Sequence, residues 1–242
     1  MPVDDNGLDI TSGIQNYPDA RFALITPAHQ SPLGVALSLA RRHQILEWAD
    51  RSQAWIIEDD YDSEFRYHGK PLPALKSLDA PQRVIYAGTF SKALFPALRC
   101  AWLVVPVKQI AQFRHQASLA PCAVPVLWQN TLADFLREGH FWRHLKKMRQ
   151  HYAQRRQWIE QALTQQGFQV VPQKGGIQMV IRMIGDDIAY ARKANAAGLA
   201  VQALSDWRIR SSGEGGLLLS FTNIVNEAMA RQVAQQLRKA LS

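Results

Sequence analysis

Three short segments of the sequence combine titratable and hydroxyl side chains with turn-forming residues. They are TPAHQSPLG, IIEDDYDSEF and GTFSKALFPALR, which begin at Thr26, Ile56 and Gly88. A lysine amine such as that of Lys92 forms covalent adducts with aldehydes, and a carboxylate holds a neighbouring group in its protonated form. Each segment alone has a simpler interpretation, because acidic clusters and single lysines usually lie on solvated loops. It is the combination of the three that points to a chemical site.

Apolar runs precede these segments and predict β-strands at residues 22–26, 54–58, 84–88 and 101–106. The periodicity of residues 35–51 predicts a helix between the first two strands. The strands are apolar almost throughout, which is typical of a sheet with both faces covered by helices. The polar segments follow the strands, at the edge where open α/β sheets place their ligands. We therefore predict an α/β layer that carries a ligand site.

The second half of the sequence has a different pattern. From about residue 107 it is mainly helical, and a long helix is predicted at about 138–165. Short strands at 168–171, 177–181 and 217–221, with a helix at about 187–197, then predict a small α+β domain. We divide the chain into a large α/β domain at residues 1–139 and the long helix with the small domain at 140–242.

Composition excludes several classes of protein. The net charge of +8 is concentrated at residues 137–156, where apolar side chains recur at helical spacing. This stretch predicts an amphipathic helix with a solvated basic face, and the sequence has no recognisable DNA-docking element. Cys100 and Cys122 fit neither a CxxC pair nor a metal-ligand spacing. No apolar run approaches the ~20 residues that cross a bilayer, and the polar first residues do not resemble a signal peptide. We expect a cytoplasmic protein without metal.

Together the three segments resemble the fold type I enzymes that depend on pyridoxal 5'-phosphate (PLP), and most closely the aminotransferase-like domain of MocR-type regulators of the GntR family. IIEDDYDSEF and VIYAGTFSKALFPALR carry the resemblance. Asp59 and Lys92 are 33 positions apart (92 − 59), as in such regulators, and the HQxPxG element precedes both. The resemblance implies a partial PLP-dependent transferase type I fold, with a mostly parallel sheet covered by helices and a small α+β C-terminal domain.

By this resemblance Lys92 forms the Schiff base with the cofactor aldehyde. A carboxylate beside the pyridine nitrogen keeps the ring protonated and makes it the better electron sink. The resemblance assigns that role to Asp59. Asp60 is the alternative, since consecutive strand residues point to opposite faces and only one faces the ring. Tyr61 is implied to hydrogen-bond the ring hydroxyl oxygen.

The resemblance implies that the cofactor phosphate is held by Thr89, Ser91 and Arg99. Two hydroxyls and a guanidinium suit phosphate oxygens, because the guanidinium offers a charge-assisted fork.

The sequence departs from the aminotransferase pattern at two places. Ser31 stands where many aminotransferases have an asparagine that reaches the ring hydroxyl, so Tyr61 must do more of that work. The small domain has Ser205, Asp206 and Trp207 where a Ser-Arg-aromatic motif grips the substrate carboxylate. An aspartate repels a carboxylate, so an ordinary amino acid binds only if a neighbouring arginine replaces the usual one. The candidates are Arg208 and Arg210, for which an exposed loop position is an equal expectation.

A complete fold type I domain is longer than this chain. The resemblance implies that the sequence begins after the other phosphate-binding helix start, after the aromatic ring that stacks on the cofactor, and after a winged helix-turn-helix. The surface on which such a first half docks is predicted to be apolar and exposed.

The hypothesis that these features favour is a PLP-binding, effector-sensing domain of a MocR/GntR-type transcriptional regulator. Its partners are then a small amino compound and a second copy in a homodimer, with DNA bound only through a further N-terminal domain. One alternative is an aminotransferase enzyme acting on an amino acid or amine, which shares every cofactor residue. The other is an inactive truncated fragment, and a basic nucleic-acid-binding domain is the weakest interpretation.

Overall fold

The computed structural model describes residues 1–120, 124–209 and 213–242, so Cys122 and Arg210 lie outside the described residues. The chain forms two compact units. The first contains Met1–Ser31, Val35–Glu64 and Lys70–Leu145, and the second contains Pro32–Gly34, Phe65–Gly69 and Lys146–Ser242. The domain division at residues 139 and 140 stays a prediction.

A four-stranded sheet forms the centre of the first unit, in the order β3-β4-β5-β6. Its strands are β3 (Phe22–Ile25), β4 (Trp55–Asp60), β5 (Val84–Thr89) and β6 (Ala101–Val104). A small hairpin, β1 (Val3–Asp4) and β2 (Gly7–Leu8), precedes it. The helices are α1 (Ile10–Asn16), α2 (Leu39–Arg51), α3 (Ile110–Leu119), α4 (Val126–Arg137) and the start of α5 (His140–Gln165).

The direction of the strands brings the polar segments to one edge of this sheet. β3, β4 and β5 are parallel, whereas β6 is antiparallel to β5. The carboxyl ends of three strands and the amino end of β6 therefore meet at the same edge, where open α/β sheets bind ligands. The α/β class and the mostly parallel sheet are confirmed.

The two faces of the sheet differ. On one face the strand side chains pack against the apolar side of α2 in a core of Ala23, Ile25, Leu37, Ile45, Leu46, Ala49, Ile56 and Val84. On the other face Phe22, Leu24 and Leu103 are 62%, 66% and 55% exposed. The strands are apolar on both sides, as the sequence indicated, but within the described part of the chain the helical cover lies on one side. The docking of a first half on an exposed apolar surface stays a prediction.

Helix α2 begins later than the predicted residue 35. Ser38 has an extended backbone, and its hydroxyl caps the helix by accepting a hydrogen bond from the Arg41 N–H at 3.5 Å. The preceding residues extend along the loop instead, where the Leu37 N–H donates to the Pro27 carbonyl at 2.9 Å. The capping serine, and not the apolar periodicity, sets the start of the helix, because its hydroxyl pairs with an N–H of the first turn that would otherwise have no partner. The loop that contains HQxPxG is thereby fixed against the start of α2.

The second unit has its own antiparallel sheet, in the order β7-β8-β10-β9. The strands are β7 (Gln169–Val170), β8 (Gln178–Met183), β9 (Val201–Ala203) and β10 (Gly215–Ser220). The rest of α5 and helices α6 (Asp187–Ala196) and α7 (Glu227–Leu241) surround it. Its core contains Leu163, Ile181, Ala194, Leu217, Phe221 and Leu237, all less than 2% exposed. Strand β9 and helix α7 were not predicted. No helix in the described ranges is long and apolar enough to cross a membrane.

A buried carboxylate, Asp187, ties α6 to β10. It accepts hydrogen bonds from the N–H groups of Ser205 at 3.1 Å and Gly216 at 2.9 Å. Burial alone raises the pKa of this carboxyl, but the hydrogen bonds from Gly216 and Ser205 outweigh it and hold the pKa below its ordinary value. The ionised carboxylate therefore stabilises the fold.

We expect Asp187→Asn to lower the free energy of unfolding by about 1–3 kcal/mol at neutral pH, because both N–H groups donate to the same oxygen and a neutral amide oxygen accepts more weakly than an ionised one. A lowered folded-state pKa contributes stability above the pKa of the unfolded chain, and this contribution is lost as the pH falls through the folded pKa. Urea unfolding should thus show a gap between wild type and Asp187→Asn that narrows in acid. Asp186→Asn is the control, because asparagine caps a helix as well as the aspartate that now caps α6. Equal stability of wild type and Asp187→Asn at neutral pH would contradict this role.

Candidate functional site

All the predicted site residues lie at the carboxyl edge of the β3-β4-β5 sheet. Asp59 lies near the end of β4 and pairs with Ala87 of the neighbouring strand. Thr89 ends β5, two residues beyond Ala87, so its side chain points to the same face as that of Asp59. Tyr61 follows β4 directly. Ser91, Lys92 and Arg99 lie in the connection between β5 and β6.

The turn that carries Lys92 is fixed on both sides of the lysine. The Thr89 hydroxyl accepts the Ser91 N–H at 3.1 Å and donates to the Ser91 hydroxyl at 3.0 Å. Ala93 is buried, and its carbonyl accepts a hydrogen bond from the ring of His144 at 2.9 Å. Lys92 is exposed between these two anchors. Its backbone is thus held while its amine stays accessible.

An aromatic cluster around Phe90 anchors the turn that carries Lys92. Phe90 is buried, with its ring centroid 4.6 Å from that of Trp102 and 5.6 Å from that of Phe141. Trp102 in β6 lies opposite Gly88 in β5. A side chain at Gly88 would overlap the Trp102 indole. The glycine therefore lets the indole lie across the strand that leads into the lysine turn.

We expect Gly88→Ala to lower the free energy of unfolding by about 1–3 kcal/mol, since a core that is already packed must shift to admit the methyl group. Urea unfolding measures this change. Trp102→Leu in the same chain should recover part of the loss, because the smaller side chain leaves room for the methyl group. An unchanged midpoint for Gly88→Ala would show that the indole moves freely.

The two neighbouring carboxylates of β4 have different surroundings. Asp60 accepts hydrogen bonds from the hydroxyls of Tyr86 and Ser63, each at 2.8 Å. The Asp59 carboxylate is half-buried and has no hydrogen bond or ion pair within residues 1–120, 124–209 and 213–242. Burial raises the pKa of Asp59, and the charges of Asp60 and Asp62 raise it further. Of the two carboxylates, that of Asp59 is therefore the one available to pair with a cation.

Cationic side chains on the β5–β6 connection also lack partners. Arg99 is exposed, and its backbone is left-handed, with φ at 50°. Neither Arg99 nor Lys92 forms an ion pair within the described part of the chain. Two free cations with the hydroxyls of Thr89 and Ser91 make a donor set suited to an anion such as phosphate.

Sequence reasoning missed a cluster around Tyr61. The Tyr61 hydroxyl lies 3.1 Å from Nδ1 of His29, and the same Nδ1 lies 3.1 Å from the Asp62 carboxylate. Burial raises the pKa of the Tyr61 hydroxyl, the Asp62 charge adds to this shift, and a hydrogen bond with the Ser31 side chain opposes it. The signal in the sequence was the histidine of HQxPxG and an aspartate directly after the tyrosine.

In the second unit, the residues of the small-domain motif lie in a short 3-10 helix, Leu204–Trp207. Asp206 and Trp207 are exposed. The Arg208 guanidinium donates a hydrogen bond to the Glu214 carbonyl. Arg210 lies outside the described residues. Arg208 is thus hydrogen-bonded to a neighbouring part of the backbone.

Residues 4–233 match the family model of aminotransferase class I and II. The chain belongs to this family. The family's cofactor is pyridoxal phosphate, which confirms the cofactor predicted from the sequence. The solved structures similar to this aminotransferase-like chain include the kynurenine aminotransferase of Pyrococcus horikoshii, with a TM-score of 0.88 and 25% identity, over 100% of this chain and 62% of that one.

Curated relatives of this aminotransferase-like chain include transcriptional regulators. It is 35% identical to the probable rhizopine catabolism regulatory protein MocR of Rhizobium meliloti, over 99% of this chain and 49% of the relative. It is 31% identical to the pyridoxine biosynthesis transcriptional regulator PdxR of Corynebacterium glutamicum, over 100% of this chain and 52% of the relative. The chain thus spans about half the length of these relatives. The resemblance to MocR-type regulators is confirmed.

The residues at the sheet edge fit the family's cofactor chemically. The half-buried carboxylate of Asp59 suits a protonated ring nitrogen, and burial with the charges of Asp60 and Asp62 raises its pKa. The free cations and hydroxyls of the β5–β6 connection suit a phosphate dianion.

Proposed function

We propose that this chain binds pyridoxal phosphate as the effector-sensing part of a MocR-type regulator. The observation that carries the proposal lies at one sheet edge, where the carboxylate of Asp59 and the cations of Lys92 and Arg99 form no ion pair within the described residues. When bound, the cofactor acts as an electron sink for an attached amino compound. In the proposal the Lys92 amine attaches to the cofactor, and Asp59 holds the proton on the ring nitrogen.

Three side chains hold the phosphate in this proposal. Thr89 and Ser91 already share a hydrogen bond at 3.0 Å, so their hydroxyls are grouped before any anion arrives. Grouped donors lose little conformational entropy on binding. Arg99 adds a planar fork of donors that matches phosphate geometry. Tyr61 donates to the ring hydroxyl oxygen, because its raised pKa keeps the phenol protonated.

The test is to incubate the chain with pyridoxal phosphate, reduce it with borohydride, and map the pyridoxyl group by mass spectrometry. We expect one labelled peptide, with the group on Lys92. Labelling spread evenly over the surface lysines, or none retained after gel filtration, would overturn the proposal.

A sensing role, rather than turnover, is favoured by the regulatory functions of the relatives and by Asp206 in the small-domain motif. An enzyme is the second candidate, because solved structures similar to this chain are aminotransferases. Incubation with a panel of amino acids separates the two. Conversion of the cofactor to its amine form at roughly 1 per second or faster, as in ordinary enzymes, would favour the enzyme. Slower conversion is expected.

We further propose that the sensor works in the cytoplasm as a homodimer whose effector is a small amino compound. An amine is the natural ligand of a cofactor aldehyde, since it can displace the lysine. Binding to DNA is assigned to other parts of a longer regulator.

A further inference from the structure

A cluster of two buried side chains, His29 and Asp62, and the half-buried Tyr61 lies beside the proposed cofactor site. His29 and Asp62 are only 8% and 2% exposed. Nδ1 of His29 lies 3.1 Å from the Asp62 Oδ2 atom and 3.1 Å from the Tyr61 hydroxyl. Buried ionisable groups are expensive, so a cluster of three at a sheet edge calls for an explanation.

The fold brings these residues together from two neighbouring strands. His29 lies in the loop after β3, and Tyr61 and Asp62 follow the parallel strand β4. The His29 loop is closed by two backbone hydrogen bonds, from Gln30 to the Val35 carbonyl at 3.0 Å and from Leu37 to the Pro27 carbonyl at 2.9 Å. The cluster is therefore held by backbone on both sides, and its geometry does not depend on long mobile side chains.

The partners fix where the protons lie. The Asp62 Oδ2 atom has no hydrogen-bond partner within the described residues, but its charge lies 3.1 Å from Nδ1 and favours a proton on that nitrogen. Nδ1–H then donates to the Tyr61 oxygen, and the Tyr61 O–H donates to the His29 carbonyl at 3.2 Å. The Nε2 atom of His29 is buried without a hydrogen-bond partner within the described residues. A bare acceptor is easier to leave unpaired there than a bare N–H.

The Tyr61 oxygen is thus oriented by a donor, while its own proton can turn to a new acceptor. A phenol whose oxygen accepts a hydrogen bond is a stronger donor, since linked hydrogen bonds polarise one another. Ser31, which stands where many aminotransferases have an asparagine, is too short to reach as far as that amide. In place of the asparagine, the His29 cluster fixes the orientation of the Tyr61 hydroxyl.

We infer that His29 and Asp62 are positioning residues that hold the Tyr61 hydroxyl as the hydrogen-bond donor to the ring oxygen of the cofactor. The inference rests on the proposed function. The nearby charge of Asp62 keeps the proton on Nδ1, the Nδ1–H group orients the phenol, and the phenol alone touches the cofactor.

The first arm of the test needs no cofactor. In the chain labelled with 15N-histidine, the ring of His29 is identified by its loss in His29→Gln, and long-range 1H–15N spectra give its tautomer. We expect a proton on Nδ1, with ring shifts that change in both Asp62→Asn and Tyr61→Phe. A proton on Nε2 alone, or shifts that neither substitution alters, would overturn the inference.

The second arm uses the visible absorption of the bound cofactor as a function of pH. Tyr61→Phe removes the donor and should move the pH of the spectral transition by about one unit, which is a tenfold change in proton affinity, or about 1.4 kcal/mol. His29→Gln and Asp62→Asn should move it in the same direction. In a Tyr61→Phe background they should add nothing, because the double-mutant cycle removes their shared target.

A purely structural role predicts lower stability in all three variants with an unmoved spectral transition, and that result would overturn the inference. If the wild type retains no cofactor, the proposed function fails, and the histidine spectra still decide whether the cluster has the stated proton arrangement. Asp62→Asn nearly preserves side-chain shape, so it carries the pH-dependent measurement if His29→Gln does not fold.

Discussion

Replacement of Lys92 by alanine is expected to abolish covalent retention of pyridoxal phosphate. Lys92 is exposed between Ser91 and Ala93, whose backbone groups are hydrogen-bonded. Its amine forms no ion pair within the described residues. Without that amine no bond to the aldehyde forms at this position. Borohydride reduction followed by peptide mapping should lose the label at this site, and the visible absorption of the lysine-bound cofactor should disappear.

Lys92→Arg is the matched control, because it keeps the positive charge but not the reactive amine. Alanine and arginine should be equally unable to trap the cofactor, while arginine retains more reversible binding through its charge. Thermal unfolding of both variants without cofactor should match the wild type, since the side chain is exposed. Undiminished labelling of either variant would move the covalent bond to another lysine.

Asp59→Asn is expected to weaken cofactor binding at least tenfold, about 1.4 kcal/mol, because the protonated ring nitrogen loses its counter-charge. The same change should leave the cofactor-free chain equally or more stable. A raised folded-state pKa means that the carboxyl stabilises the fold only while protonated, and this stability is lost as the pH rises through the folded pKa. At neutral pH the uncharged amide removes that unfavourable charge. Cofactor titration and thermal unfolding measure the two effects.

Asp60→Asn gives the opposite pattern. One Asp60 oxygen accepts from the hydroxyls of Tyr86 and Ser63, and the other accepts the Ser63 N–H at 3.3 Å. The amide has only one, uncharged acceptor oxygen, so the chain should unfold at a lower temperature. Cofactor affinity should change little. The assignment of Asp59 to the ring fails if Asp60→Asn is the variant that releases the cofactor.

The sequence was sufficient for the elements that carry the site. Apolar runs ending in polar segments placed three strands within two residues, because the strand interior and the ligand edge need different side chains. The choice between Asp59 and Asp60 was left open. The choice depends on which of the two carboxylates contacts Tyr86. Asp60 and Tyr86 are 26 residues apart and lie on different strands, so the local sequence pattern does not predict their contact.

The His29 cluster and the Gly88–Trp102 contact were also beyond sequence reasoning. A histidine in a loop has no periodicity, and its contact with Tyr61 depends on how the loop before α2 closes. The contact of the glycine depends on the register between β5 and β6. Local propensity predicts elements, whereas these contacts are set by tertiary packing.

The exposed face of the first sheet has a thermodynamic consequence. Asp59 and Thr89 point to the same side as Phe22, Leu24 and Leu103. A surface that covers these apolar side chains also withdraws the carboxylate from water. Away from water the attraction between the carboxylate and a cation is stronger, because the dielectric constant is lower. Covering this face and filling the site with a cationic ring are then linked equilibria, and linkage requires each to strengthen the other by the same factor.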